Sequence, residues 1–338
     1  MDTSLFDYDL PSSAIAQRAI EPRDAARLLV ANSLENRLFT DLPSLLDPGD
    51  LVVVNNTRVR PARVHATKET GGAVEVLLTK RIDEIRWEAL VRPARRIRPG
   101  TTMRADSLHM TVTTEPDRGV VIVEIIPDGH DDVDDILPEL GEVPLPPYFH
   151  GTLDDEERYQ TMFARAVGSA AAPTAALHFT PGIVDALQSR GVHIVEVELD
   201  VGLDTFRPMA NGPVENHPMH RERYSVSSST VNAIDEAKRN GSRIVAVGTT
   251  VVRTLETAAD DKGRLASGSG STDLFIAPGY RTKIVDAVVT NFHAPRTTLI
   301  VMIAALIGPR WRDVYAFALD SEYRFLSFGD AMFIEVGS

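Results

Sequence analysis

The hydrophobic pattern of this chain changes period part-way along it. Residues 62–66, 73–80, 86–92, 110–114 and 120–126 are short β-rich segments with no helical pattern between them. Gly71-Gly72, Pro99-Gly100 and Glu115-Pro116-Asp117 punctuate them. Regular short strands of this kind predict a small antiparallel barrel. From Ala175 the sequence instead alternates helix and strand. Thr180-Pro181 starts a helix, with Thr as N-cap and Pro in the first turn, and Gly191 ends it. Strands are expected at 192–201, 243–247, 285–292 and 332–336, and helices at 228–240, 249–259, from Thr297 and at 311–319. With a buried strand at 50–55, these repeated βα units predict a mainly parallel sheet or an open α/β barrel. Ligands of such sheets sit beyond the carboxyl ends of the strands.

A length of 338 residues is too long for one small core, so two domains are expected. The absence of cysteine excludes disulfides, thiolate catalysis and Cys-ligated zinc. The first residues are acidic and carry no apolar core of a secretory signal. The most apolar run, 297–307, is too short to span a bilayer and reads as a buried helix, so a cytoplasmic protein is expected. A net charge of −13 argues against indiscriminate polyanion binding. Its distribution is uneven: residues 80–104 hold eight bases against three acids, whereas 128–142 hold seven acids and no base. The acidic stretch and Val143-Pro144-Leu145-Pro146-Pro147-Tyr148 read as a stiff linker, and Ser267-Gly268-Ser269-Gly270-Ser271 as a mobile loop.

The residues able to carry chemistry concentrate between Gly168 and Met332, where expected strands end. Gly248-Thr249-Thr250 opens a helix, where backbone N–H groups and hydroxyls suit a carboxylate or phosphate. Arg253 and Glu256 follow one turn apart and would share a face. Asn291-Phe292-His293-Ala294-Pro295-Arg296 presents a histidine and an arginine in a tight loop. In the segment 168–180, Ser169, Pro173 and Thr174 lie among small residues that allow close approach of a ligand, and His178 stands just before a helix. Weaker fragments contain Asp204, Asp273 and Asn55-Asn56-Thr57-Arg58. Asp200, Asp204, His217 and His220 lack ligand spacing, so no metal site is expected. No Walker A sequence and no G-x-G-x-x-G after a strand occurs, which leaves NTP and NAD unsupported.

Taken in order, these clusters resemble the S-adenosylmethionine:tRNA ribosyltransferase-isomerase family of queuosine biosynthesis. The blocks that carry the resemblance run from Asp7-Tyr8-Asp9-Leu10-Pro11 through Val54-Asn55-Asn56-Thr57-Arg58-Val59, Ala89-Leu90-Val91-Arg92-Pro93-Ala94-Arg95-Arg96 and Pro144-Leu145-Pro146-Pro147-Tyr148. Residues 168–180, Ala246-Val247-Gly248-Thr249-Thr250, Asn291-Phe292-His293 and Gly329-Asp330-Ala331-Met332 complete them. The resemblance implies an α/β fold: an open α/β barrel-like catalytic domain (1–60 and 150–338) interrupted by an inserted small antiparallel β-barrel (61–149).

It also implies the reaction. The ribosyl part of S-adenosylmethionine (SAM), consumed as a substrate, is transferred and isomerised onto 7-aminomethyl-7-deazaguanine in tRNA. Epoxyqueuosine forms, adenine and methionine leave, and no metal or further cofactor is needed. His178 or His293 would be the base and Asp273 would orient it or meet adenine. Asn55, Asn56, Thr57, Arg58, Ser169, Pro173, Thr174, Thr249, Thr250 and Asn291 would line the substrate site, with Arg253 or Arg296 on the methionine carboxylate. Arg92, Arg95, Arg96 and Arg98 would meet tRNA phosphates. The chain departs from the family pattern at Asp204 (usually Gly), Arg221 (Ser), Arg223 and Ser271 (both Trp) and Arg296 (Lys). Two lost aromatics leave open a SAM-consuming relative with a small-molecule amine acceptor, or a catalytically silent SAM- or RNA-binding one.

Overall fold

Runs of small branched residues build the centre of the larger of two units. The structure, a computed structural model, describes residues 1–153, 155–202 and 207–337, so Asp204 lies outside the described residues. One unit comprises Met1–Arg58, Pro146–Ala166 and Ala172–Ser338, and the other Val59–Leu145 with Val167–Ala171.

In the larger unit the strands are β1 (Arg27–Val30), β2 (Glu35–Leu38) and β3 (Leu51–Asn55), and the chain leaves it within β4 (Thr57–Val59). The smaller unit holds β5 (Arg63–Lys68), β6 (Ala73–Arg81), β7 (Arg86–Arg92), β8 (Thr102–Ala105), β9 (Leu108–Val112), β10 (Val120–Pro127) and helix α1 (Val133–Leu140). After β11 (Ala166–Ser169) come α2 (Pro181–Ser189), β12 (His193–Leu199), β13 (Glu222–Val226), α3 (Ser228–Arg239), β14 (Ile244–Val247) and α4 (Thr249–Ala258). Then follow β15 (Gly268–Thr272), β16 (Ala287–Asn291), α5 (Thr298–Ile307), α6 (Trp311–Asp320) and β17 (Ala331–Glu335).

Among the described residues nine strands form one sheet in the order β15-β13-β12-β3-β14-β16-β17-β1-β2. It is parallel only at its centre, across β12, β3, β14 and β16, and again between β17 and β1. Every residue of β3, β14 and β16 is buried. Val53, Ala246 and Val288 enter one apolar layer with Ile234 of α3, Val251 of α4 and Ile300 of α5. Their neighbours Val52, Val54, Val245, Val247, Ala287 and Val289 enter another with Ile183 and Leu187 of α2. Cover on both faces is why these strands read as unbroken apolar runs. Among the described residues no helix is long and apolar enough to cross a membrane.

The run 267–271, expected as a mobile loop, is instead most of the edge strand β15, in register with β13 (Tyr224 opposite Gly270). A side chain on Gly270 would meet the Tyr224 ring at 2.9–3.1 Å, so glycine is what lets that ring lie across the edge.

In the smaller unit β10-β7-β6-β5-β8-β9 close into an antiparallel barrel. The strand at 102–105 was not expected from the sequence, and the acidic stretch is a helix rather than only a linker. Asp132 caps α1 by accepting from the Asp134 amide at 2.9 Å. Its acids are matched by barrel arginines, Arg81 to Asp132 at 2.7 Å and Arg60 to Asp134 at 2.6 Å. Both guanidiniums also stack over the buried Trp87 ring.

Candidate active site

Two β-strand ends and one helix start make a cleft in the larger unit. At the end of β14, Gly248 takes a φ of 90°, which turns the chain directly into α4. The first backbone N–H groups of α4, at Thr249 and Thr250, have no partner within the helix, and the buried Thr250 hydroxyl has none among the described residues. At the end of β16 stand Thr290, Asn291 and His293. Pro173 and Thr174 add the start of a short 3-10 helix, Thr174–His178.

These residues line a first lobe with Tyr148, Val201, Phe292, Leu299, Leu326 and Ser327; it holds about 590 Å³ of atom-free space out to its mouth. Among the described residues no carboxylate, lysine or arginine lines it. A second lobe shares Thr249, Thr250 and Leu299 with the first and continues past His217, His220, Glu222, Arg253 and Phe275.

His293 is held by its backbone. Its carbonyl accepts from the Tyr8 hydroxyl and its N–H donates to the Tyr315 hydroxyl at 3.1 Å. The Tyr8 and Tyr315 rings meet edge to face, 5.2 Å apart. The N-terminal segment therefore serves the site by fixing the turn that carries its histidine. His293 Nε2 lies 3.1 Å from the Thr290 hydroxyl. Burial alone pushes its pKa down to about 3, so the imidazole is neutral at physiological pH. Tyr148, with its hydroxyl 2.5 Å from Ser327 Oγ, is pushed up to about 12 by burial and stays protonated.

His178 does not line the cleft. It lies behind Asn291, 4% exposed, against the Phe39 ring, with Nε2 3.3 Å from Asn291 Nδ2. Its pKa is also lowered, to about 4, chiefly by burial. Asn291 Oδ1 in turn accepts from the Thr174 hydroxyl at 3.0 Å.

The other expected site residues are more dispersed. Pro173, Thr174, Thr249, Thr250, Asn291 and His293 come together in the first lobe, and Arg253 lies in the second. Arg253 and Glu256 do not pair, although both are buried. The Arg253 guanidinium is paired with Glu222 and donates to the Leu274 carbonyl, while Glu256 accepts from Tyr280 and from the amides of Lys283, Ile284 and Val285. Asp273 is exposed and paired with Arg221 at 3.4 Å. Arg296 reaches Asp7 at 3.6 Å and lines neither lobe.

Asn55 and Thr57 are buried and both bond the Leu199 carbonyl, tying β3 to β12. Asn56 donates to Glu196, and Arg58 pairs with Glu157. Ser169 belongs to the smaller unit, where its hydroxyl donates to the Ala171 carbonyl at 2.6 Å. Arg92, Arg95, Arg96 and Arg98 are exposed on that unit. Tyr148, Thr290 and Ser327 were not anticipated as site residues; Tyr148 closes a proline-rich run, and Ser327 carries no local signal.

The two positions where the family pattern has tryptophan are direct neighbours: Arg223 stands opposite Ser271 across β13 and β15. Both are exposed, and Arg223 pairs with Asp200 at 3.0 Å. The alternate residue Glu222 points inward to Arg253, so the departures fall on the outer face of that edge and not in either lobe.

A cleft beyond the carboxyl ends of parallel strands is where α/β enzymes hold their substrates, and this chain is of that class. More narrowly, it belongs to the queuosine biosynthesis protein family, whose model matches residues 3–334. The chain is 50% identical to the S-adenosylmethionine:tRNA ribosyltransferase-isomerase of Symbiobacterium thermophilum, with 99% of this chain and all of that one covered (100%). It is 47% identical to the enzyme of the same name from Desulfitobacterium hafniense, covering 97% and 98%. Among solved structures it resembles the S-adenosylmethionine tRNA ribosyltransferase of Thermotoga maritima, at 36% identity and a TM-score of 0.56 over 98% of this chain and 99% of that one.

Proposed function

We propose that the chain is a SAM:tRNA ribosyltransferase-isomerase that binds the adenosyl part of SAM in the first lobe. The observation that carries this reading is that the first lobe is mainly apolar, with hydroxyl groups set into it and, among the described residues, no carboxylate, lysine or arginine in its lining. Thr174, Thr249, Thr290, Asn291, Tyr148 and Ser327 offer hydroxyl and amide groups, which recognise a nucleoside by hydrogen bonds without opposing a sulfonium. Family membership and the names of the two enzymes at 47–50% identity supply the reaction.

His293 is the base. Unprotonated and lining the lobe, it takes a proton from the C5′ carbon that the sulfonium acidifies. The ylide breaks the C4′–O4′ bond, and the ring oxygen becomes a C1′ aldehyde as adenine is expelled; the leaving base needs a donor, a role for the Tyr148–Ser327 hydroxyl pair. The acceptor's amine adds to C4′ of the vinyl sulfonium, the C5′ ylide so formed attacks the C1′ aldehyde to close the carbocycle, and the resulting alkoxide closes the epoxide as methionine leaves. The helix start at Thr249 and Thr250, at the neck between the lobes, suits the methionine carboxylate. Arg253 acts there through the second lobe it shapes, since Glu222 already occupies its guanidinium.

The tRNA contacts fall on the arginines of the barrel. Arg92, Arg95, Arg96 and Arg98 are exposed, and Arg118 joins them from the neighbouring turn, where Gly119 accepts from the Val91 amide at 2.8 Å. The test is adenine release. Incubated with SAM and tRNA bearing 7-aminomethyl-7-deazaguanine, the protein releases adenine and methionine, and unmodified tRNA gives neither. Release with a free amine and none with modified tRNA would overturn the tRNA reading.

A further inference from the structure

His178, Asn291 and Thr174 form one hydrogen-bonded chain whose polarity is fixed by a main-chain carbonyl. The Asn291 amide nitrogen faces the Asp330 carbonyl, which can only accept, at 3.4 Å. The same nitrogen faces His178 Nε2 at 3.3 Å and donates to it, so in the neutral ring Nε2 is bare and Nδ1 carries the proton. Flipping the amide would set its oxygen against that carbonyl, so the orientation is decided. Asn291 Oδ1 consequently points at Thr174 and takes its only hydroxyl proton, at 3.0 Å.

We propose that His178 is a positioning residue: as a neutral Nδ1–H imidazole it locks Asn291, so that Thr174 presents only an acceptor oxygen to the first lobe and selects a hydrogen-bond donor there. Burial supports the neutral ring. The charged groups around it oppose one another, Asp330 favouring a proton and Arg158 and Arg324 disfavouring it. The inference rests on the SAM reading of the lobe, in which the donor is either a ribose hydroxyl or the adenine amine.

Two measurements test it. In the ligand-free protein, 15N NMR of the imidazole shows His178 protonated on Nδ1 and bare on Nε2 at neutral pH. An Nε2–H tautomer or an imidazolium overturns the relay whatever the substrate is. Thr174→Ser keeps the acceptor and holds the KM for SAM within about twofold, while Thr174→Val raises it about tenfold with kcat little changed, the loss of one hydrogen bond. SAM analogues lacking the 2′- or 3′-hydroxyl, or bearing a dimethylated adenine amine, identify the donor: the analogue without it is indifferent to Thr174→Val. If all analogues still lose tenfold, Thr174 meets no substrate donor and the proposal fails. Failure of the unmodified protein to bind SAM by calorimetry would instead remove the reading of the lobe, and with it the substrate half of the proposal, while the tautomer still decides the relay.

Discussion

The Tyr148 hydroxyl stands 2.5 Å from Ser327 Oγ on the wall of the first lobe, joining two loops far apart in sequence. The pair sets a hydroxyl hydrogen bond into the wall that the ligand meets. Tyr148→Phe therefore lowers kcat/KM for adenine release about tenfold, the worth of one hydrogen bond to a developing charge. Thermal unfolding should move by no more than a few degrees. An unchanged kcat/KM would remove Tyr148 from the reaction.

Buried neutral histidines also set the acid limit of the fold. His178 and His293 have folded pKa values of about 4 and about 3, below the unfolded value of 6.5. Between those values the unfolded chain binds protons that the folded one refuses, so stability falls as pH falls. Their contribution is complete above about pH 6.5 and is lost progressively toward pH 4. Urea unfolding at pH 7 and pH 5 should show a clearly lower midpoint at pH 5. In His293→Gln that difference shrinks. An equal pH dependence in the variant would show that His293 is not held neutral by the fold.

How much of this was legible in the sequence follows from where each residue lies. β3, β14 and β16 were readable because both of their faces are buried, which leaves a valine-rich run with no polar interruption. Thr249, Asn291 and His293 were readable because they follow such runs directly. The edge strand β15 was not, since a strand whose one exposed side carries serine and glycine looks like a linker until the Tyr224 ring is laid on it. Asp273 and Arg296 have the right chemistry for a site, yet nearby Arg221 and Asp7 engage their side chains. Charge and spacing do not encode which way a long side chain turns. His178 is the intermediate case: its position in the site region was legible, but its place behind Asn291 was not.

The ion pair between Arg253 and Glu222 is almost wholly enclosed, with side chains 7% and 6% exposed. Glu222 also accepts from the Gly202 amide at 3.0 Å. Arg253→Ala leaves a carboxylate buried without its partner and costs about 3–5 kcal/mol in unfolding free energy. Arg253→Met together with Glu222→Leu removes both charges and costs much less, about 1–3 kcal/mol for the Gly202 amide left unpaired. Chemical denaturation of the three proteins measures this. Equal losses in the single and double variants would mean that the pair is solvated and contributes little.

The tRNA contacts proposed for the exposed arginines of the barrel can be tested apart from the chemistry. Arg95→Gln and Arg96→Gln remove charges that lie outside the cleft-bearing unit, so turnover at saturating tRNA is preserved while tRNA affinity falls. Each lost phosphate contact lowers the slope of log K against log salt by about 0.7–0.9. The double variant therefore has a slope smaller by roughly 1.4–1.8 than the unmodified protein, with the loss equal for modified and unmodified tRNA. Fluorescence anisotropy across a salt series reads both quantities. A slope that does not change would place the tRNA phosphates elsewhere on the protein, whereas a loss confined to modified tRNA would make these arginines readers of the base rather than of the backbone.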